Sequence, residues 1–207
     1  MKNNTEIRIA GFGGQGIILS GYIIGKAAAI YDNKFSTLIQ AFGPEARGSS
    51  CSAQLIISDN QILYPYLVTP QISILLSVDA YERFHTEITP GGKILYEEDL
   101  VEPNNIPKGI TAFGVPATRL AEEMGRKIVM NIITVGFFSA VTGITTYDAT
   151  RNAVGSSVPP GTEEMNLRAF ETGYQYGADL IAKTEKKPES KKVKGQRPKV
   201  KDKSLSA

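Results

Sequence analysis

The stretch IRIAGFGGQG, Ile7 to Gly16, runs straight into the apolar segment Ile17 to Ile30, and its reading decides the fold. Ile7, Arg8, Ile9 and Ala10 alternate as a half-buried strand does, and four glycines within six positions then turn the chain. The segment that follows, rich in Ile, Leu and Ala, reads as a helix. Gly11, Gly13 and Gly16 stand at G-x-G-x-x-G spacing. Such spacing lets the backbone bend sharply, admits a ligand close to its N–H groups, and packs the new helix on the strand. The free amides and the positive helix end favour an anion, most often a pyrophosphate. Without a ligand the same glycines serve close packing alone. Gly14 favours the ligand, because packing does not require a fourth glycine.

A nicotinamide dinucleotide is the obvious anion and can be tested within the sequence. An acid that binds the ribose should close the second strand, about 20 residues on. That strand reads as Phe35 to Gln40, which ends in Gln40, while Asp32 precedes it in the turn after the helix. A stand-alone dinucleotide-binding oxidoreductase is thereby reduced to an alternative, beside a scaffold subunit that keeps the fold without a ligand.

Composition sets the outer bounds. The 207 residues, 42% hydrophobic and 21% charged, describe one ordinary domain with its own core, placed in the cytoplasm by default and expected to make no membrane contact. One cysteine, Cys51, and one histidine, His85, cannot assemble a disulfide framework, a zinc site or an iron–sulfur cluster. Cys51 reads as a small buried hydrophobe, and His85 as a solvated helical residue. The formal charge is only +2, but Lys183 to Lys203 forms a basic run with two prolines. It lacks the apolar surface to offset its ordering cost, so an α/β domain over residues 1–182 and a disordered tail over 183–207 are expected. The tail reads as a solvated terminus, with no nucleic acid as partner.

Along the chain, Ala41 to Ser50 is a loop of glycine, proline and charge. Arg47 is its one strong anion-binding side chain, free to hold a phosphate or to pair with Glu45. Ser52 to Ile57 and Gln61 to Leu67, joined by Ser58-Asp59-Asn60, suggest an inserted hairpin. Ile72 to Val78 reads as a central strand, with Asp79 capping a helix Ala80 to Glu87. Strands are expected at Lys93 to Tyr96 and Ile110 to Val115, and a helix from Ala117 to Met124 between Pro116 and Gly125. Asn131 to Gly143 reads as a helix buried on most sides, another subunit being one candidate for its cover. Glu163 to Lys183 carries a single apolar stripe, and Asn131 and Asn166 read as hydrogen-bonded packing residues. The fold class is α/β: an open mixed, mostly parallel sheet flanked by helices, with an inserted β-hairpin and a ligand site outside the carboxyl ends of the strands.

GFGGQGI at Gly11 to Ile17, FGPEARG at Phe42 to Gly48, the turn Pro90-Gly91-Gly92, NIITVG from Asn131 and MNLRAFETG around Asn166 occur in order over about Ile7 to Gly177. Together they resemble the gamma subunit, or gamma domain, of the 2-oxoacid:ferredoxin oxidoreductases, nearest to the 2-oxoglutarate type. Ser49-Ser50-Cys51 departs from the small, glycine-rich continuation of the family loop. The resemblance implies a subunit, inactive alone, of an enzyme that oxidatively decarboxylates a 2-oxoacid to an acyl-coenzyme A and reduces ferredoxin. It implies thiamine diphosphate and iron–sulfur clusters in alpha, beta and delta partner subunits, and coenzyme A as the co-substrate met by this chain. The residues expected to meet it are Gly11, Gly13, Gly14, Gln15 and Gly16, with Glu45 and Arg47.

Overall fold

The computed structural model describes residues 4–42 and 50–185. Its strands are β1 (Asn4–Phe12), β2 (Phe35–Phe42), β3 (Ser50–Ser58), β4 (Ile72–Leu75), β5 (Lys93–Glu97) and β6 (Thr111–Val115). Its α-helices are α1 (Ile17–Lys26), α2 (Val78–Phe84), α3 (Ala117–Glu123), α4 (Met130–Thr142), α5 (Tyr147–Gly155) and α6 (Glu163–Glu185). The strands form one sheet in the order β2-β3-β1-β4-β5-β6. β1, β4, β5 and β6 pair in parallel, and β3 runs antiparallel to both β1 and β2. The open, mixed, helix-flanked sheet is the one the alternation of strand and helix patterns implies.

The antiparallel hairpin is present but lies elsewhere. β2 and β3 form it, and residues 61–67 take no strand. Their run of apolar and aromatic residues is one that composition alone does not distinguish from a strand. Ser77, not Asp79, caps α2: its hydroxyl accepts from Ala80 N at 3.1 Å. No helix is assigned to α5 from sequence, although Ala149, Ala153 and Val154 share its buried face; its start is fixed by tertiary bonds. Asp32 accepts from Thr146 N at 2.9 Å and from Thr146 Oγ1 at 2.6 Å, and that same hydroxyl accepts from Ala149 N to cap α5.

The two faces of the sheet are covered unequally. Ile7 and Ile9 of β1 point into the larger core, shared with α1, α3, α4, α5 and α6. Ala10 points the other way, into a smaller core with Tyr81 and Phe84 of α2, and Arg8 lies over the Phe84 ring at 4.1 Å. Within the larger core, α4 is buried along nearly its whole length, and its cover is α6 of the same chain. Gly136 and Gly173 make that approach possible, because a Cβ at either would overlap the backbone of the facing helix at Phe170 or Ile133. α6 extends to Glu185, so the expected domain end at 182 lies inside it, and residues 186–207 of the basic tail lie outside the described residues. No helix among the described residues is long and apolar enough to cross a membrane.

Candidate functional site

From β1 the chain builds outward to β2 and β3 on one side, then crosses to β4, β5 and β6 on the other. Open α/β sheets bind ligands at the carboxyl ends of strands where such a reversal opens a crevice. The glycine turn occupies this crevice, between the ends of β1 and β4. Gln15 N closes the turn on Phe12 O at 3.1 Å. The Gln15 side chain then spans the gap: its Oε1 accepts from Phe12 N at 2.6 Å and its Nε2 donates to Leu76 O at 2.8 Å. Both ends of that amide are engaged within the chain, so Gln15 serves the site as a brace.

The glycines divide by cause. A Cβ on Gly11 would overlap the Gln15 carboxamide and come within 2.9 Å of Ile17 Cδ1. Gly16, the N-cap of α1, has φ +70° and would set a Cβ 2.7 Å from the side chain of Asn131. Packing and conformation account for these two. Gly13 is half-buried, whereas Gly14 is exposed, has φ +102°, and would carry a Cβ into open space. A turn residue with nothing over it leaves room for a ligand at its amide.

The amino end of α1 behind this opening carries the positive end of the helix dipole. Among the described residues no side chain caps α1, and no acid stands in its first turn. The first-turn amides of Ile17, Ile18 and Leu19 have no intrahelical acceptor, and they point toward the turn with the positive end of the helix behind them. Asn131, read from sequence as a packing residue, is buried against Gly16 at the start of α4. It is the polar side chain that sequence reasoning set aside and the fold returns to the site. Only its tertiary neighbour identifies it.

The register of the sheet brings a second segment to the same place. Phe12 stands opposite Ser50, and Gly11 opposite Cys51, which also faces Phe42 of β2. The chain therefore leaves β2 and re-enters β3 beside the glycine turn. Glu45 and Arg47 lie on that connection, residues 43–49, outside the described residues.

Other polar residues have structural partners. The His85 ring stacks on Tyr81 with centroids 4.9 Å apart, and its Nδ1 lies 2.9 Å from Tyr81 O. Cys51 is buried and its thiol is pushed up by that burial, away from the reactive thiolate. Asn166 donates to Thr162 O at 2.9 Å, as a packing residue should. Glu97, at the end of β5, is fully buried and accepts from Asp99 N at 3.3 Å and Thr118 N at 3.1 Å. Burial holds its carboxyl above the usual range against those two backbone bonds. Among the described residues no group of three His, Cys, Asp or Glu is placed to hold a metal ion.

Fold and site together define an α/β protein with a glycine turn and the start of a helix at a strand reversal. Comparison with known proteins makes this specific. The chain belongs to the pyruvate ferredoxin/flavodoxin oxidoreductase family, whose model matches residues 6–176. Within it the chain corresponds to the gamma subunit of a 2-oxoacid:ferredoxin oxidoreductase. It is 43% identical over 182 residues to the 2-oxoglutarate synthase subunit KorC of Methanocaldococcus jannaschii, covering 87% of this chain and 97% of that one. Among solved structures it resembles the gamma subunit of a keto/oxoacid ferredoxin oxidoreductase from Geobacter sulfurreducens, at 34% identity and TM-score 0.73, over 84% of this chain and 99% of that one. It also resembles the 2-oxoglutarate:ferredoxin oxidoreductase of Magnetococcus marinus, solved with 2-oxoglutarate, coenzyme A and succinyl-CoA bound. There the identity is 26% and the TM-score 0.76, over 87% of this chain but 32% of that longer one.

Proposed function

We propose that this gamma subunit binds the phosphate-bearing part of coenzyme A at the glycine turn and so orients the thiol toward an acyl intermediate held by partner subunits. The observation that carries the reading is the open Gly14 turn at an uncapped helix start, beside the strand ends from which the Glu45 and Arg47 connection departs. Arg47 would add a guanidinium fork to backbone amides that already favour a diphosphate. Glu45 would orient that fork. The contribution is positional: holding a co-substrate near its reaction partner removes a large entropic part of the barrier without any proton transfer by this chain.

The substrate acid proposed is 2-oxoglutarate, supported by the likeness to the KorC relative. Thiamine diphosphate and the iron–sulfur clusters would be held by alpha, beta and delta partners, which pass electrons to ferredoxin. Coenzyme A supplies the thiol that takes up the acyl group. The residues of this chain suit its anionic end, because the turn is bare, unshielded by acids in the first helical turn, and open above Gly14.

A matched pair of variants tests this. Asp and Asn are nearly isosteric and share a tolerance of positive φ, so Gly14→Asp and Gly14→Asn should strain the turn alike. They differ in charge at the mouth of the cradle. In the assembled enzyme Gly14→Asp should raise the KM for coenzyme A at least about tenfold above Gly14→Asn, with the KM for the 2-oxoacid the same in both. Equal coenzyme A constants in the two variants would remove the anion site from this turn.

A further inference from the structure

Parallel strands need cover on both faces, whereas antiparallel strands can leave one face to water. Among the described residues five helices lie over one face and α2 over the other. Beyond α2, the second face continues across β1, β3 and β2, where Glu6, Ile56 and Thr37 stand abreast in register. What lies on it is the loop between β3 and β4. This loop turns its apolar side chains outward: Leu63 is 87% exposed, Val68 68%, Tyr64 61% and Tyr66 52%.

Its backbone is nevertheless fixed from below. The buried Glu6 carboxylate accepts from Val68 N at 2.7 Å and Thr69 N at 2.9 Å, while Gln71 N donates to Glu6 O at 2.9 Å. Thr89 ties the loop's far end through Pro70 O and Thr69 O. The Tyr64 and Tyr66 rings pack on each other with centroids 5.5 Å apart, beside a cavity of about 220 Å³ that reaches down to Ile56. A loop anchored by a buried acid, with its large apolar groups presented to the outside, is built for contact and not for its own core. Exposed Phe35, opposite Ser58 where the loop begins, extends the patch onto β2.

We infer that this second face, from Phe35 across Leu63, Tyr64, Tyr66 and Val68, docks on the polypeptide that corresponds to the remainder of the longer M. marinus chain. The inference rests on the gamma-subunit reading and names the surface that reading requires. The argument for that occupant is length: a unit like this one makes up 32% of the M. marinus chain but 99% of the G. sulfurreducens subunit. A unit covalently continuous with its neighbour in one relative and separate in another must be held there by a non-covalent interface. No Lys, Arg, Asp or Glu interrupts Gln61 to Pro70, so the complementary surface is apolar, with slots for aromatic rings. The patch lies at the amino ends of β1 and β2 and the carboxyl end of β3, with the glycine turn at the opposite end of β1.

The test is co-expression of the full chain with its partner subunits, purified through a tag on the partner, for wild type, Leu63→Asp, Tyr66→Asp and the conservative Leu63→Met. Recovery of this chain should fall at least about tenfold for both Asp variants and be restored in Leu63→Met. Soluble yield and resistance to limited proteolysis should match wild type throughout, which separates lost docking from lost folding. Wild-type recovery of both Asp variants overturns the surface while leaving the gamma-subunit reading intact. A wild-type chain that pairs with itself, with Leu63→Asp splitting that dimer, replaces the partner by a second copy and overturns the occupant. A wild-type chain that joins no partner overturns the reading beneath it.

Discussion

At the scale of single residues, the site shows how one short motif carries several jobs. Gly11 and Gly16 are glycines because side chains occupy the space a Cβ would need, Gln15 is spent on bracing β1 against β4, and Gly14 opens outward. Spacing alone cannot separate these jobs, since each needs the same small residue. Glu97 yields a test of a different kind. The folded state holds its proton more tightly than the unfolded chain, so raising the pH through the interval from the ordinary carboxylate value up to the elevated one of Glu97 costs stability. Below that interval both states are protonated and the cost is absent; above it both are ionised and the cost is complete. Glu97→Gln should abolish this loss, so that wild type falls relative to the variant in thermal unfolding as pH rises from about 4 to about 8. A constant difference across that range would mean that the buried carboxyl titrates normally.

At the scale of elements, the crossing of α4 and α6 is the tightest feature of the core. The helical period of α6 was legible in the sequence, as was the burial of α4 on most sides. Its cover was not, because apolarity on all sides says that a helix is buried and not what buries it. Gly136 and Gly173 answer that question through backbone-to-backbone approach. Gly173→Ala should gain about 0.5–1 kcal/mol in helix propensity and lose more by forcing the helices apart. A net destabilisation of about 2 kcal/mol, read as a lower midpoint in urea, is expected, and a neutral or stabilised variant would show that the crossing yields easily. The misplaced hairpin has a related origin. Residues 61–67 read like a strand, yet they pair with no strand among the described residues; the loop they open is held at Val68 N and Thr69 N by the Glu6 carboxylate, 62 residues from Val68 in sequence.

At the scale of the whole molecule, sheet order decides between ligands. Because antiparallel β3 lies between β1 and β2, the end of β2 is two strands from the glycine turn, roughly 10 Å away at the usual strand spacing. A nicotinamide-binding sheet needs its ribose acid on the strand next to the turn, and here that neighbour runs the opposite way. The missing acid noticed in the sequence is thus a consequence of topology. Titration calorimetry of the assembled enzyme with NAD should detect no binding to this subunit, and saturable binding abolished by Gly14→Asp would restore the dinucleotide reading. The sequence by itself determined the strand–turn–helix unit, the α/β class and the family, because these rest on local periodicity and on residues quoted in order. Only the tertiary structure decided which face of the sheet carries the outward-turned loop, which glycines are packed and which is open, and that Asn131 meets Gly16. Those are relations between segments far apart in the chain, and a side chain's neighbours are fixed only when the sheet order and helix crossings are.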